Sequence, residues 1–211
     1  MTKFIIVRHG QTEWNLAGRY QGQSDIALTD AGIKQAEILA DRFPEKNVAA
    51  VYSSDLSRAF VTAGKIADKL GCELHKDKAF REICFGDWEG HTYEEIIARW
   101  PEALGNFFQR PDILKIPNGE TFADVQNRAV GRMMELAGEY PDKTVVIVAH
   151  GAVIRTMLAA AVHSPLRYLW SFRQDNTALS IVLYNSDGFL LQLANSTEHL
   201  RGTEYQVLTK I

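Results

Sequence analysis

Phe4-Ile5-Ile6-Val7-Arg8-His9-Gly10 sets four apolar residues directly before an arginine, a histidine and a glycine. A short unbroken apolar run rich in β-branched residues reads as a central strand buried on both faces. Arg8 and His9 then stand at its carboxyl end. In open α/β sheets that edge is where ligands bind, and Gly10 lets the backbone turn tightly and come close to an anion. One Arg-His-Gly is a weak motif, since a histidine at a strand end is commonly structural. Its weight comes from a second copy, Thr144-Val145-Val146-Ile147-Val148-Ala149 running into His150-Gly151. If these strands are neighbours in a parallel sheet, the two imidazoles face each other across one crevice.

The 211 residues suit one domain with a sizeable core, and 46% hydrophobic with 23% charged residues is a soluble globular composition. The formal net charge of −3 provides no global basic field, so neither nucleic acid nor an anionic membrane is an expected partner. Affinity for an anion must come from a local cluster of positive charge. Met157 to Val162 is the longest later apolar run and is too short to span a bilayer. No signal-like stretch precedes Arg8, and Cys72 and Cys84 form neither a Cys-x-x-Cys pair nor a disulfide framework. A reduced, cytoplasmic protein is therefore expected.

Polar, glycine-punctuated residues from Gln11 to Gly22 read as a functional loop. Thr29 caps a helix with Ile33, Ala36, Ala40 and Phe43 on one face, ending before Pro44. Val48 to Tyr52 is a second strand, after which Ser53-Ser54-Asp55 supplies N-cap residues for a helix to about Leu70, with Arg58 in its first turn. Leu74 to Phe80 reads as a short edge strand. Residues from about 92 to 117 read as a helical, lid-like insertion carrying Trp100, Phe107 and Phe108, a place for an apolar or aromatic leaving group to rest. Thr121 opens a long helix with Phe122, Val125, Ala129, Met133 and Leu136 inward. A helix follows His150-Gly151, and Asn185-Ser186-Asp187-Gly188 joins two strands as a hairpin. The tail from Glu198 onward is polar. Strands alternating with helices make this an α/β chain.

The crevice gathers His9 and His150 from two strand ends, Arg8 and Arg58 as fixed cations, and an acidic loop. Arginine matches phosphate oxygens bidentately and keeps its proton, so two arginines with an imidazolium cage a tetrahedral dianion. A neutral imidazole nitrogen aimed at phosphorus can attack it in line and become phosphohistidine. The acidic loop holds Glu82, Asp87 and Glu89 among aromatic residues, where a desolvated carboxyl suits a general acid. Spacing alone leaves open which of the three serves.

Taken together, Arg8-His9-Gly10 with Thr12 and Asn15, Arg58 behind Ser53-Ser54, Glu82 ahead of Phe85-Gly86-Asp87-Trp88-Glu89-Gly90, and His150-Gly151 resemble the histidine phosphatase superfamily, the phosphoglycerate mutase-like group. The resemblance covers nearly the whole chain in the right order. It implies a three-layer α/β/α fold with a mostly parallel central sheet. It also implies His9 as nucleophile, with Arg8, Arg58 and His150 holding the phosphoryl oxygens and Glu82 as general acid and base. Asn15, Gln21, Gly22 and Gly151 would line the phosphate site. His150, facing a dianion, is expected as imidazolium. No metal or cofactor is implied, and the partner is a small phosphate ester.

Two departures from the family's pattern stand out, of which the first should leave the chemistry untouched. Gln11 follows Arg8-His9-Gly10 where many members have glutamate, and Gln21 stands where glycolytic mutases carry serine or threonine. The stretch from Glu82 to Glu120 is shorter and less basic than the mutases' substrate region, with Arg99, Arg110 and Lys115 as its clear cations beyond His91. A phosphomonoesterase is therefore expected over a cofactor-dependent phosphoglycerate mutase, with α-ribazole phosphatase as a narrower form of the same chemistry. A non-catalytic phosphate-binding module fits less well, because His9 and Glu82 are both present, and a metal-dependent hydrolase using His9 and His150 fits less well still, because no carboxylate cluster is placed to hold magnesium.

Overall fold

The computed structural model describes residues 1–206. Six strands, β1 (Thr2–Arg8), β2 (Ala50–Ser53), β3 (Leu74–Lys76), β4 (Thr144–Ala149), β5 (Leu179–Asn185) and β6 (Gly188–Ser196), form one sheet in the order β3-β2-β4-β1-β5-β6. The first four are mutually parallel, and β5 and β6 run antiparallel at one edge. β1 and β4, the two strands ending in His-Gly, are direct neighbours, with Arg8 opposite Ala149. His9 and His150 thus leave the sheet side by side.

The helices are α1 (Glu13–Leu16), α2 (Asp30–Asp41), α3 (Ser57–Leu70), α4 (Tyr93–Arg99), α5 (Pro101–Gln109), α6 (Phe122–Glu139) and α7 (Gly151–Ala161). Successive side chains of a strand point to opposite faces, which divides the core in two. Phe4 and Ile6 pack with α6 and α7 on one face, and Ile5 and Val7 pack with α2 and α3 on the other. That is the expected α/β/α layering. Each of these β1 side chains is essentially inaccessible, so truncating one to alanine would cost about 2–5 kcal/mol.

Several boundaries differ from expectation. The loop after β1 contains α1, whose capping box pairs Thr12 with Asn15. α3 begins at Ser57, not at Ser53-Ser54-Asp55, and its free amide is capped from a distant loop: Asp25 Oδ1 accepts from Ser57 N and Oγ, both at 2.7 Å. Asp55 instead pairs with Arg81. β3 stops at Lys76, and Lys78–Phe80 is a 3-10 turn capped by Asp77. Glu198–Leu200 is also a 3-10 turn, and His199 and Leu200 are buried beside the sheet edge, so the tail is polar only beyond them. Its last five residues lie outside the described ones. Residues 92–117 are largely α4 and α5, whose Ile96, Leu104 and Phe107 belong to the larger core cluster.

Candidate active site

A cavity of about 210 Å³ opens at the carboxyl ends of β1 and β4. Arg8, His9, Asn15, Gln21, Gly22, Arg58, Glu82 and Gly151 all line it. His150 lies just behind, wholly buried, with its ring centroid 5.1 Å from that of His9. Five separate segments of chain converge here because the parallel β1–β4 pair brings both strand ends to one edge.

His9 Nδ1 lies 2.7 Å from the carbonyl of Gly10. A carbonyl only accepts, so Nδ1 carries the proton and Nε2 keeps its lone pair. Asn176 Nδ2 and Thr177 N both donate to the His9 carbonyl, fixing the backbone from behind. Burial first, then the guanidiniums of Arg58 and Arg8, hold the His9 imidazole well below the ordinary histidine range. His9 is therefore a neutral base at ordinary pH.

Arg58 is 1% exposed, and each of its nitrogens is engaged. Nε donates to His150 Nδ1 at 3.2 Å, Nη1 to the Ser24 carbonyl at 2.8 Å and Nη2 to the Gly22 carbonyl at 2.7 Å. Accepting at Nδ1 makes His150 the Nε2–H tautomer, and that Nε2 is a buried donor with no acceptor among the described residues. Burial, Arg58, His9 and Arg8 push its basicity well down. The imidazolium was expected opposite a dianion; here burial and the bond from Arg58 make His150 a neutral donor.

The three carboxylates differ in position. Only Glu82 lines the cavity. Its Oε1 accepts from Ile83 N at 2.9 Å and Val153 N at 3.1 Å, and Oε2 from Ala152 N at 3.0 Å, so it caps the amino end of α7. Glu89 ties down the 22–24 turn, accepting from Gln23 N, Ser24 N, Ser24 Oγ and Phe85 N. Asp87 is exposed and bonds the Asn118 amide.

Gly10 meets protein where an anion was expected. A Cβ there would lie 2.4 Å from the Gly32 carbonyl oxygen, so this glycine lets the strand end cross α2. Gly22 does serve the site: its φ is +55°, and a Cβ would lie 2.0 Å from Glu89 Oε1. Asn15 Oδ1 accepts from Thr12 N and Asn176 Nδ2, and Gln21 Oε1 accepts from Thr12 Oγ1.

Sequence reasoning missed Arg155, Arg19, Tyr20 and Trp170, all on the cavity wall. Arg155 had a legible signal, being the charged residue in the apolar run of α7 one turn beyond His150-Gly151. Arg19 is bound to Glu95 and to the Gly90 carbonyl. The aromatic wall is Tyr20, Phe85 and Trp170; Trp100, Phe107 and Phe108 do not line the cavity, and Phe107 is core. Among the described residues no three His, Cys, Asp or Glu side chains gather in a group that could hold a metal ion, and no helix is long and apolar enough to cross a membrane.

Comparison with known proteins agrees with this geometry. The model of the Histidine phosphatase superfamily (branch 1) matches residues 4–197. Phosphoserine phosphatase 1 of Hydrogenobacter thermophilus is 35% identical over 200 residues, 95% of each chain. The probable phosphoglycerate mutase GpmB of Yersinia pestis is 32% identical over 209 residues, again 95% of each. A mutant phosphoserine phosphatase of Entamoeba histolytica in complex with phosphoserine superposes with a TM-score of 0.86 at 35% identity, covering 95% of this chain and 100% of that one. The phosphoserine phosphatase of the same organism in complex with 3-phosphoglyceric acid matches at 36% identity with a TM-score of 0.86 and the same coverage.

Proposed function

Since the chain belongs to the histidine phosphatase superfamily (branch 1) and is a phosphatase of that family, we propose that it hydrolyses small phosphomonoesters of the phosphoserine kind, without a metal, through a phosphohistidine on His9. The observation that carries this reading is the Nδ1–H bond from His9 to the Gly10 carbonyl, which leaves Nε2 bare on the cavity wall shared with Arg8 and Glu82.

In the first step the Nε2 lone pair forms a bond to phosphorus as the bond to the ester oxygen breaks. Glu82 gives that oxygen its proton, and the alcohol leaves. In the second step Glu82 takes a proton from water, whose oxygen bonds to phosphorus as the P–N bond breaks, releasing inorganic phosphate and neutral His9. Arg8, the remaining N–H groups of Arg58 and the His150 Nε2–H meet the phosphoryl oxygens. Phosphoryl transfer asks for positioning and charge stabilisation more than for covalent chemistry. Proton transfer by a placed carboxyl contributes on the order of 10²- to 10⁴-fold.

The relationship to GpmB favours a second reading, in which the phosphohistidine passes its phosphoryl group to another hydroxyl and not to water. One experiment separates them: phosphate release from phosphoserine and other monoesters in EDTA, by wild type and His9→Ala, with 3-phosphoglycerate isomerisation measured in parallel. Hydrolysis that survives chelation and disappears in the variant supports the phosphatase. Isomerisation without hydrolysis supports the mutase, and hydrolysis by His9→Ala would overturn both.

A further inference from the structure

Arg155 is the cation on the cavity wall that the phosphoryl chemistry leaves without a task. It rises from the first turns of α7, half-buried, with its guanidinium carbon 5.2 Å from the centre of the Trp170 ring and Nη1 donating to the Gly151 carbonyl at 3.0 Å. Trp170 is itself held by a bond from its indole nitrogen to the Phe107 carbonyl and by ring contacts with Phe107 and Phe122. The guanidinium therefore stands on a rigid aromatic base. Its Nε–H is buried and has no acceptor among the described residues, and the Nε–H of Arg8 is in the same condition. The two groups are close: a methyl at Gly151 would lie 3.1 Å from Arg155 Nη1 and 3.6 Å from Arg8 Nε. Buried donors on charged groups are ordinarily satisfied, so this pair of orphans marks a place for an acceptor that none of the described residues supplies.

Charge balance says which acceptor. Arg8, Arg58 and Arg155 face the cavity as cations, while Arg19 is neutralised by Glu95 and both histidines are neutral. Asp175, the other acid whose field reaches Arg8 and Arg155, is paired with Arg173. Before the ester bond breaks, Glu82 must hold the proton it will deliver. Three guanidiniums then face a phosphoryl dianion, and one positive charge is uncompensated. We propose that Arg155 is a specificity residue that receives a carboxylate on the leaving alcohol, so that favoured substrates are phosphomonoesters of hydroxy acids, including hydroxylated amino acids. The proposal rests on the phosphatase reading and deepens it.

Phosphoserine and O-phosphoethanolamine differ by the carboxylate alone and make the direct test. Wild type should prefer phosphoserine, and in Arg155→Gln the ratio of kcat/KM values for the two esters should fall about 10- to 150-fold, mainly through KM, the range for a lost hydrogen bond to a charged group. Arg155→Lys should restore part of that ratio, and thermal melting establishes that both variants are folded. Inhibition by inorganic phosphate should weaken less than phosphoserine binding. A ratio unchanged within about twofold, or equal weakening of phosphate and phosphoserine, would place Arg155 in the phosphoryl cage or the scaffold and overturn the proposal. If neither ester is hydrolysed, the phosphatase reading fails by itself. Calorimetric binding of the same two esters to His9→Ala, with and without Arg155→Gln, then decides the carboxylate subsite independently.

Discussion

Arg58 Nε donates to His150 Nδ1 at 3.2 Å, and through that single bond a residue of α3 sets the tautomer of a histidine 92 positions later. With Nδ1 accepting, His150 can only present Nε2–H, the proton a phosphoryl oxygen needs. The same guanidinium holds the Gly22 and Ser24 carbonyls, so it builds the loop side of the pocket as well.

Arg58→Met should therefore lower kcat by roughly 10²- to 10³-fold, as loss of a preorganised donor does. It should also destabilise the fold by about 2–3 kcal/mol, since two carbonyls lose a charged donor. Nitrogen-15 shifts of the His150 ring report the cause directly. One tautomer in wild type and a mixture in the variant is the expected result; an unchanged ring with lowered kcat would mean Arg58 acts on substrate alone.

Glu82→Gln tests proton delivery through the leaving group. Alkyl phosphates, whose alcohols leave poorly, should lose about 10²- to 10⁴-fold in kcat, while p-nitrophenyl phosphate, whose phenolate leaves without a proton, should lose far less in the first step. Equal losses would assign Glu82 to architecture. Some loss of stability is expected in any case, because a glutamine amide cannot accept from both Ala152 N and Val153 N.

Acid should unfold the protein in a window set by its buried histidines. His9 and His150 are held well below 6.5 by burial first and by the arginines, and burial pushes His199 down to about 4. In the unfolded chain all three take up protons as pH falls through about 6.5. The unfolded state then binds more protons than the folded one, so stability declines with falling pH below that point and is unaffected by these groups above it. His199 alone contributes about 3 kcal/mol of that loss between pH 6.5 and 4. Thermal melts from pH 8 to 4 should show the decline, and His199→Gln should flatten it; a melting temperature that rises on acidification would contradict the assignment.

Gly22→Ala combines a left-handed backbone with a collision on the Glu89 carboxylate. A destabilisation of about 1–3 kcal/mol and a several-fold rise in KM are expected. Glu89→Ala in the same chain should relieve the collision but not the backbone strain, so recovery of stability in the double variant is partial. Full recovery would show that the φ of +55° costs little.

Much of this protein was legible in its residues. The unbroken apolar runs before His9 and before His150 read as buried strands, and they are the adjacent parallel pair at the centre of the sheet. Capping at Thr29 and Thr121 read correctly for the same local reason: a cap bonds an amide three residues away. The start of α3 was not legible, because Asp25, far off in sequence, caps it and Ser53-Ser54-Asp55 does not. Gly10 was read as making room for an anion and in fact makes room for Gly32.

The β1 and β4 strands, the two His-Gly ends and the arginines beside them follow from the residues alone, since burial pattern and chemical type are properties of short segments. That Glu82, and not Asp87 or Glu89, faces the cavity, that His150 is a neutral donor, and that Arg155 stands on Trp170 without a carboxylate partner among the described residues all depend on the folded chain. Those are questions of distance and solvation between segments as much as 92 residues apart. A carboxylate or an imidazole takes its role from the donors and the water around it, and those are set only when the chain has folded.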